Sequence, residues 1–230
     1  MRKSRKQQKN DRRRIIPITA KTPNQKEYIR DIVENDVVFC TGTSGSGKSY
    51  IAAGIAANHI YKDDVEEIIV TRPLVCAGKD IGSLPGELDE KIKPYLLPME
   101  ENLKHFLGRD YYGKLFNEGR IRYEPLEVMR GATFHDAYMI LDEAQNCTLD
   151  QIKMFITRMG ENSKVLINGD IRQTDIKKFS GLLDCIERLE DVEGVGISRL
   201  YYEDIQRNGI IGRVLEALEE DYYDYLRLYL

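Results

Sequence analysis

The residues whose types and spacing most clearly imply chemistry stand at positions 42 to 49. There Gly42-Thr43-Ser44-Gly45-Ser46-Gly47-Lys48-Ser49 fits G-x-x-x-x-G-K-[ST] at every fixed position. Glycines let a backbone curl until several N–H groups face one anion, and a helix starting near Lys48 points the positive end of its dipole at the same place. Such a loop cradles the phosphates of a nucleoside triphosphate, with Lys48 reaching the β- and γ-phosphates and the Ser49 hydroxyl holding magnesium. The expected ligands are ATP and Mg2+. A glycine-rich turn that merely carries a lysine would need neither the apolar strand before it nor the helix after it, and the sequence supplies both.

A second group arises independently, where the apolar run Ala137 to Leu141 leads straight into Asp142-Glu143. A strand that ends in two acids puts carboxylates at the carboxyl edge of a sheet, where open α/β folds bind their ligands. Asp142 is expected to share the metal with Ser49, and Glu143 to polarise an attacking water. A third strand, Val165 to Ile167, runs into Asn168-Gly169-Asp170-Ile171-Arg172-Gln173. Its polar side chains could sense the γ-phosphate, or the segment could be a plain Asn-Gly turn.

These groups need a scaffold, and the apolar periodicity provides one. Strands are expected at Val37 to Cys40, Glu67 to Val70, Ile121 to Tyr123, Ala137 to Leu141, Lys164 to Ile167 and Val195 to Ile197. Helices are expected at Gln25 to Glu34, Lys48 to Tyr61, Glu87 to Phe106, Leu149 to Met159 and Gly181 to Leu189. Strands alternating with helices imply crossover units, hence an α/β fold with a mostly parallel sheet and helices on both faces. Prolines 73, 85, 94 and 98 and glycines 78, 82 and 86 make residues 72 to 120 read as an irregular insertion. The end of the chain, Gly212 to Leu230, reads as a closing helix rich in acids and tyrosines.

Composition sets the frame. At 230 residues, 42% hydrophobic and 31% charged, the chain suits one large globular domain. No apolar run approaches the roughly 20 residues that span a bilayer, and no apolar stretch follows the basic start as in a secretory signal. The expectation is a cytoplasmic protein that makes no membrane contact. Cys40, Cys76, Cys147 and Cys185 form no C-x-x-C pair, and His59, His105 and His135 lack metal-ligand spacing. Neither a structural metal nor a redox dithiol is expected.

The net charge of −4 hides an asymmetry. Residues 1 to 14 hold eight Arg or Lys and one acid, so they carry about +7 and the remainder about −11. We read residues 1 to 21 as a basic disordered arm preceding a single domain at 22 to 230. Arms of this sign pair with nucleic-acid phosphates, although a solvated arm needs no partner.

Taken in order, the motifs resemble those of the PhoH family, whose ATPase core is similar to the first motor domain of superfamily-1 helicases, a RecA-like P-loop NTPase. Asn24-Gln25 resembles the adenine-contacting Gln motif, and Gly42 to Ser49 the Walker A motif. Thr71-Arg72-Pro73 with Gly82 to Glu87 resembles the nucleic-acid-facing motif after the second strand. Leu141-Asp142-Glu143-Ala144-Gln145-Asn146 looks like the DEAQ motif, and Gly169-Asp170-Ile171-Arg172-Gln173 fits the GDxxQ coupling motif that brings Gln173 to the site. Tyr202 to Asn208 is similar to the family's Asp-x-x-Arg-His segment, with Asn208 where histidine is usual. The resemblance implies an RNA-associated ATPase, with RNA favoured over DNA and unwinding as an added activity. Arg72, Lys79, Lys91 and Lys93 are its candidate strand contacts. Since one motor domain leaves a wall of the nucleotide site open, it also implies a ring of copies, a hexamer, in which Arg207 of a neighbour reaches the ATP. A P-loop phosphotransferase and a nucleotide-dependent scaffold are the alternative classes. Transfer to an acceptor would mark the first, and turnover indifferent to RNA the second.

Overall fold

The computed structural model describes residues 15–73, 88–176, 180–206, 210–215 and 217, with the backbone alone described for 88–95. Strand β1 (Val37–Gly42) is buried on both faces, as its continuous run Val-Val-Phe-Cys requires. It leads into helix α2 (Lys48–Lys62), preceded in the chain by α1 (Pro23–Glu34). Next come β2 (Glu67–Thr71), α3 (Leu88–Leu107), α4 (Arg109–Asn117) and β3 (Ile121–Tyr123). The remaining elements are β4 (Ala137–Leu141), α5 (Leu149–Ile156), β5 (Lys164–Gly169), α6 (Leu182–Leu189) and β6 (Val195–Leu200).

The six strands form one sheet in the order β3-β2-β4-β5-β1-β6, and every neighbouring pair is parallel. Its register sets Cys40 opposite Asn168 and Thr41 opposite Gly169, and Thr71 opposite Leu141. The phosphate loop, the Asp142-Glu143 pair and the Asn168 to Gln173 segment therefore leave the sheet at the same edge. Two cores sandwich the sheet. One joins Tyr28 and Ile32 of α1, Ile55 of α2 and Leu103 and Phe106 of α3, while the other joins Ile152 and Phe155 of α5 with Leu182 and Ile186 of α6. Helices thus cover both faces of a P-loop NTPase sheet.

Within the segment 72 to 120, expected as an irregular insertion, the helix expected at Glu87 to Phe106 is present. Within its described part, α3 runs for 20 residues through Pro94 and Pro98, and α4 follows after Gly108. A proline inside a helix costs ~3 kcal/mol. Burial of Met99, Leu103, Phe106 and Leu107 outweighs that for Pro98, at roughly 1.5–3 kcal/mol for each large apolar side chain. Gly108, at φ 77°, takes the left-handed turn between the two helices. The domain also begins earlier than expected. Ile15 and Ile18 pack on the core and Ile16 N donates to Phe106 O, so residues 15–21 belong to the fold and not to the arm. Residues 1–14, the part of the expected closing helix beyond 217, and Lys79 lie outside the described residues, as do the side chains of Lys91 and Lys93.

One buried carboxylate ties the two ends of the fold together. Asp204, wholly buried in the short 3-10 turn Tyr202–Asp204, accepts from Thr22 Oγ1, from Asn24 Nδ2 at 3.0 Å and from Tyr201 N at 2.7 Å. Thr22 also caps α1, its hydroxyl accepting from Gln25 N. Asp204→Ala should take a buried acceptor from all three donors and lower unfolding free energy by about 3 kcal/mol. Urea denaturation should show the midpoint drop with little change in slope.

Candidate functional site

At the carboxyl edge of the sheet lies a cavity of about 640 Å³, a size that suits a nucleotide. Its walls include Ser44, Gly45, Gly47, Lys48 and Ser49 of the loop, Gln25 of α1, Arg72 after β2, Asp142 and Glu143 after β4, and Gln173 after β5. Gly42, Thr43 and Ser46 build the loop without lining the cavity. Its curl rests on left-handed backbone at Gly45 (φ 85°) and Gly47 (φ 103°), and a Cβ on Gly47 would meet Gln25 Nε2 at 3.0 Å. Lys48 Nζ donates to the Gly42 and Thr43 carbonyls, the latter at 2.9 Å, so the ammonium lies folded over the loop. Thr43 Oγ1 is buried and has no partner among the described residues.

Ser49 Oγ donates to Asp142 Oδ1 at 2.7 Å. A hydroxyl and a carboxylate side by side are hard oxygen donors of the kind magnesium takes, so these residues fit the ion expected of them. Burial pushes the Asp142 carboxyl above the ordinary carboxylate range, and the nearby Glu143 adds to this; the Ser49 bond, Arg72 and Lys48 oppose it. Between the ordinary value of 3.8 and its raised folded value, the folded chain binds more protons than the unfolded, so stability falls as pH rises through that window and stays lower above it. Asp142→Asn should therefore raise the thermal midpoint of the metal-free protein at neutral pH, each ~1 kcal/mol giving roughly 2–4 °C. The gain should vanish below the ordinary carboxylate range, and added magnesium should stabilise wild type more than the variant.

Glu143 takes a left-handed backbone (φ 58°), unusual for a residue with a Cβ, as the chain turns off β4 into the 3-10 turn Ala144–Asn146. Gln145 Nε2 donates to Glu143 Oε2 at 2.6 Å, and Arg72 Nη2 stands 3.5 Å from Oε1. Gln145 is itself anchored, because its Oε1 accepts from Asp170 N at 2.9 Å. A single buried amide thus links the segments that follow β4 and β5.

Gln25, expected to contact adenine, lines the cavity and is held by protein groups. It is 3% exposed, its Oε1 accepts from Lys21 N at 2.9 Å, and its Nε2 donates to Ser46 O at 2.9 Å and to Asp204 O at 3.4 Å. Both ends of the amide hold protein, so the side chain braces the phosphate loop from the cavity wall. Behind it Tyr28 donates from its hydroxyl to Asn168 Oδ1 at 2.7 Å. Gln173 lines the cavity, with its N–H bonded to Asp170 O at 3.1 Å. Arg207 lies outside the described residues, but its neighbour Gln206 lines the cavity and donates from its N–H to Gly45 O at 3.2 Å.

Several wall residues escaped the sequence reading. Thr19 and Lys21 come from the segment assigned to the arm, Tyr50 from α2, and Pro98 and Asn102 from α3. Nothing in the sequence marks Asn102 apart from other polar positions of an amphipathic helix. Gln145 and Gln206, by contrast, stand inside segments that the motifs single out, although the motifs assign neither a part.

Comparison with known proteins agrees with this geometry. A family profile described as PhoH-like protein matches residues 17–219. The PhoH-like protein of Bacillus subtilis is 42% identical over 205 residues, covering 88% of this chain and 64% of the relative. Protein PhoH of Escherichia coli K12 is 43% identical over 211 residues, covering 90% and 60%. The chain thus spans about three fifths of the length of these relatives. Among solved structures, the large terminase of a thermophilic bacteriophage superimposes with a TM-score of 0.53 at 11% identity, over 85% of this chain and 49% of that one. The large terminase of bacteriophage HK97 gives 0.50 at 15% identity, over 79% and 39%. At such identities the structures speak for the fold alone, while the matched profile speaks for kinship: this P-loop protein belongs to the PhoH-like family.

Proposed function

We propose that the protein hydrolyses ATP with magnesium and does so in the service of nucleic acid, RNA before DNA, as a ring of copies, a hexamer. The observation that carries the ATPase reading is the Ser49–Asp142 pair, 2.7 Å apart, facing the phosphate loop with Glu143 one residue further along the same cavity. Loop N–H groups and Lys48 would hold phosphate charge. Ser49 and Asp142 would hold Mg2+, which when bound would neutralise charge on the phosphate oxygens. Glu143 would accept a hydrogen bond from the attacking water, its carboxylate aimed by Gln145.

The nucleic-acid part of the reading rests on the family resemblance and on the eight basic residues of positions 1 to 14. If that arm pairs with phosphates, each contact should add about −0.7 to the slope of log affinity against log salt for a single strand. The test compares ATP turnover with and without single-stranded RNA and DNA, in the full chain and with residues 2 to 14 deleted. RNA should raise turnover more than DNA, and deletion should spare basal turnover while weakening binding and flattening the salt slope. Turnover indifferent to both strands would leave an ATPase without this partner, and an unchanged slope would dismiss the arm.

A further inference from the structure

The carboxylate of Glu143 is gripped from two unequal sides. On Oε2 the grip is firm. Gln145 Nε2 donates at 2.6 Å, the Gln145 side chain is 2% exposed, and its own carbonyl is fixed by Asp170 N. A Cβ on Gly169 would meet Gln145 N and Oε1 at 3.1 Å each, so backbone closes on the amide from behind. On Oε1 the grip is loose. Arg72 Nη2 stands at 3.5 Å, outside good hydrogen-bond range, and the two side chains are 25% and 38% exposed. An ion pair of that length and exposure is weak and screened by salt.

Arg72 also lines the cavity that Lys48 and Ser49 line. Its planar fork matches a phosphate at least as well as a carboxylate, and can take two oxygens at once. A phosphate oxyanion reaching this rim therefore competes for the guanidinium, and a pair held at 3.5 Å is the easier one to give up. A ligand shifts such a balance only by the difference in its affinity for the two arrangements, and here a phosphate would bind the guanidinium released from Glu143 better than the paired one.

We propose that Arg72 is a phosphate-operated latch on Glu143, a residue of the cavity wall: paired, it stands against the carboxylate oxygen that Gln145 leaves free; drawn off by a phosphate, it leaves Glu143 aimed by Gln145 with Oε1 open to a water. The inference rests on the reading of Glu143 as the water-polarising carboxylate. The phosphate has two possible sources, the terminal phosphate of the nucleotide or the backbone of a strand. In the first case the latch opens in every turnover. In the second it ties turnover to the presence of nucleic acid.

The experiment follows the Nε–H signal of Arg72 by NMR in the full chain labelled with 15N-arginine, assigned by its loss in Arg72→Lys. Glu143→Gln should move the signal in the free protein, since it removes the charge the guanidinium faces. A non-hydrolysable ATP analogue with magnesium forms one arm, and a short oligouridylate the other. Movement with the analogue alone assigns the latch to the nucleotide, and movement with the oligonucleotide assigns it to the strand. A signal unmoved by Glu143→Gln, or unmoved by both anions, overturns the proposal. For a strand-operated latch, Arg72→Gln should raise strand-free turnover about tenfold, below the ~10²–10⁴ that a positioned base contributes in full, and abolish stimulation. A strand-dependent signal with lowered strand-free turnover would overturn the latch, because Arg72 would then assist catalysis rather than restrain it. Should Glu143→Gln hydrolyse ATP normally, the reading of the carboxylate falls, while the NMR arms still report where Arg72 goes.

Discussion

Glu143→Gln should bind ATP within about twofold of wild type and lose roughly 10²–10⁴ in turnover. The two halves of this expectation have separate physical sources. Binding belongs to the phosphate loop, whose curl depends on Gly45, Gly47 and the brace from Gln25 to Ser46 O, none of which touches Glu143. The amide keeps the volume and one acceptor oxygen of the side chain, so the left-handed turn at position 143 and the packing of Gln145 need not change. What disappears is the negative charge that would take up proton density from water as the phosphoryl group is attacked. Equilibrium binding of a fluorescent nucleotide beside single-turnover hydrolysis separates the two. Hydrolysis at the wild-type rate would remove Glu143 from catalysis, and loss of binding would make it a structural support of the loop.

Arg207→Ala should be the more severe change, because an arginine that meets charge developing in the transition state contributes roughly 10³–10⁵ in turnover. The family resemblance implies that this arginine arrives from a neighbouring copy. Arg207 itself lies outside the described residues, while its neighbour Gln206 donates from its N–H to Gly45 O of the same chain. We expect Arg207→Ala to bind ATP and hydrolyse almost none, and its mixture with Lys48→Ala to regain hydrolysis once subunits exchange. A mixture that exchanges and stays inactive would place Arg207 in its own subunit's site or outside catalysis.

Much of the fold was legible because strand burial leaves a simple trace. Val37-Val38-Phe39-Cys40 and Ala137 to Leu141 are buried at every position, so an unbroken apolar run between polar turns marks them plainly. The phosphate loop was legible because its glycines are demanded by backbone geometry, and Asp142 because a strand of that kind has one exit edge. The α3 helix, expected over Glu87 to Phe106, was legible from its apolar stripe although Pro94 and Pro98 read locally as breaks; Met99, Leu103 and Phe106 gain from burial in the core shared with α2, a term no local window contains. The Gln145 bridge was hidden for a related reason. Its carbonyl meets Asp170 N and its amide meets Glu143, and only the parallel pairing of β4 with β5 brings those partners together. The brace made by Gln25 was hidden too, because the groups its amide bonds, on Lys21, Ser46 and Asp204, are scattered along the chain.

If the loop at 42 to 49 and the carboxylates at 142 and 143 form one hydrolytic site, the purified full chain should release inorganic phosphate from ATP with no acceptor present. The most direct test is steady-state phosphate release, measured with and without magnesium and beside Lys48→Ala. Sustained release that requires magnesium and is lost in Lys48→Ala is the expected result, because the ammonium now folded onto the Gly42 and Thr43 carbonyls is the loop's own cation for phosphate. No release from wild type under these conditions, or equal release from Lys48→Ala, would contradict a single site built from these residues.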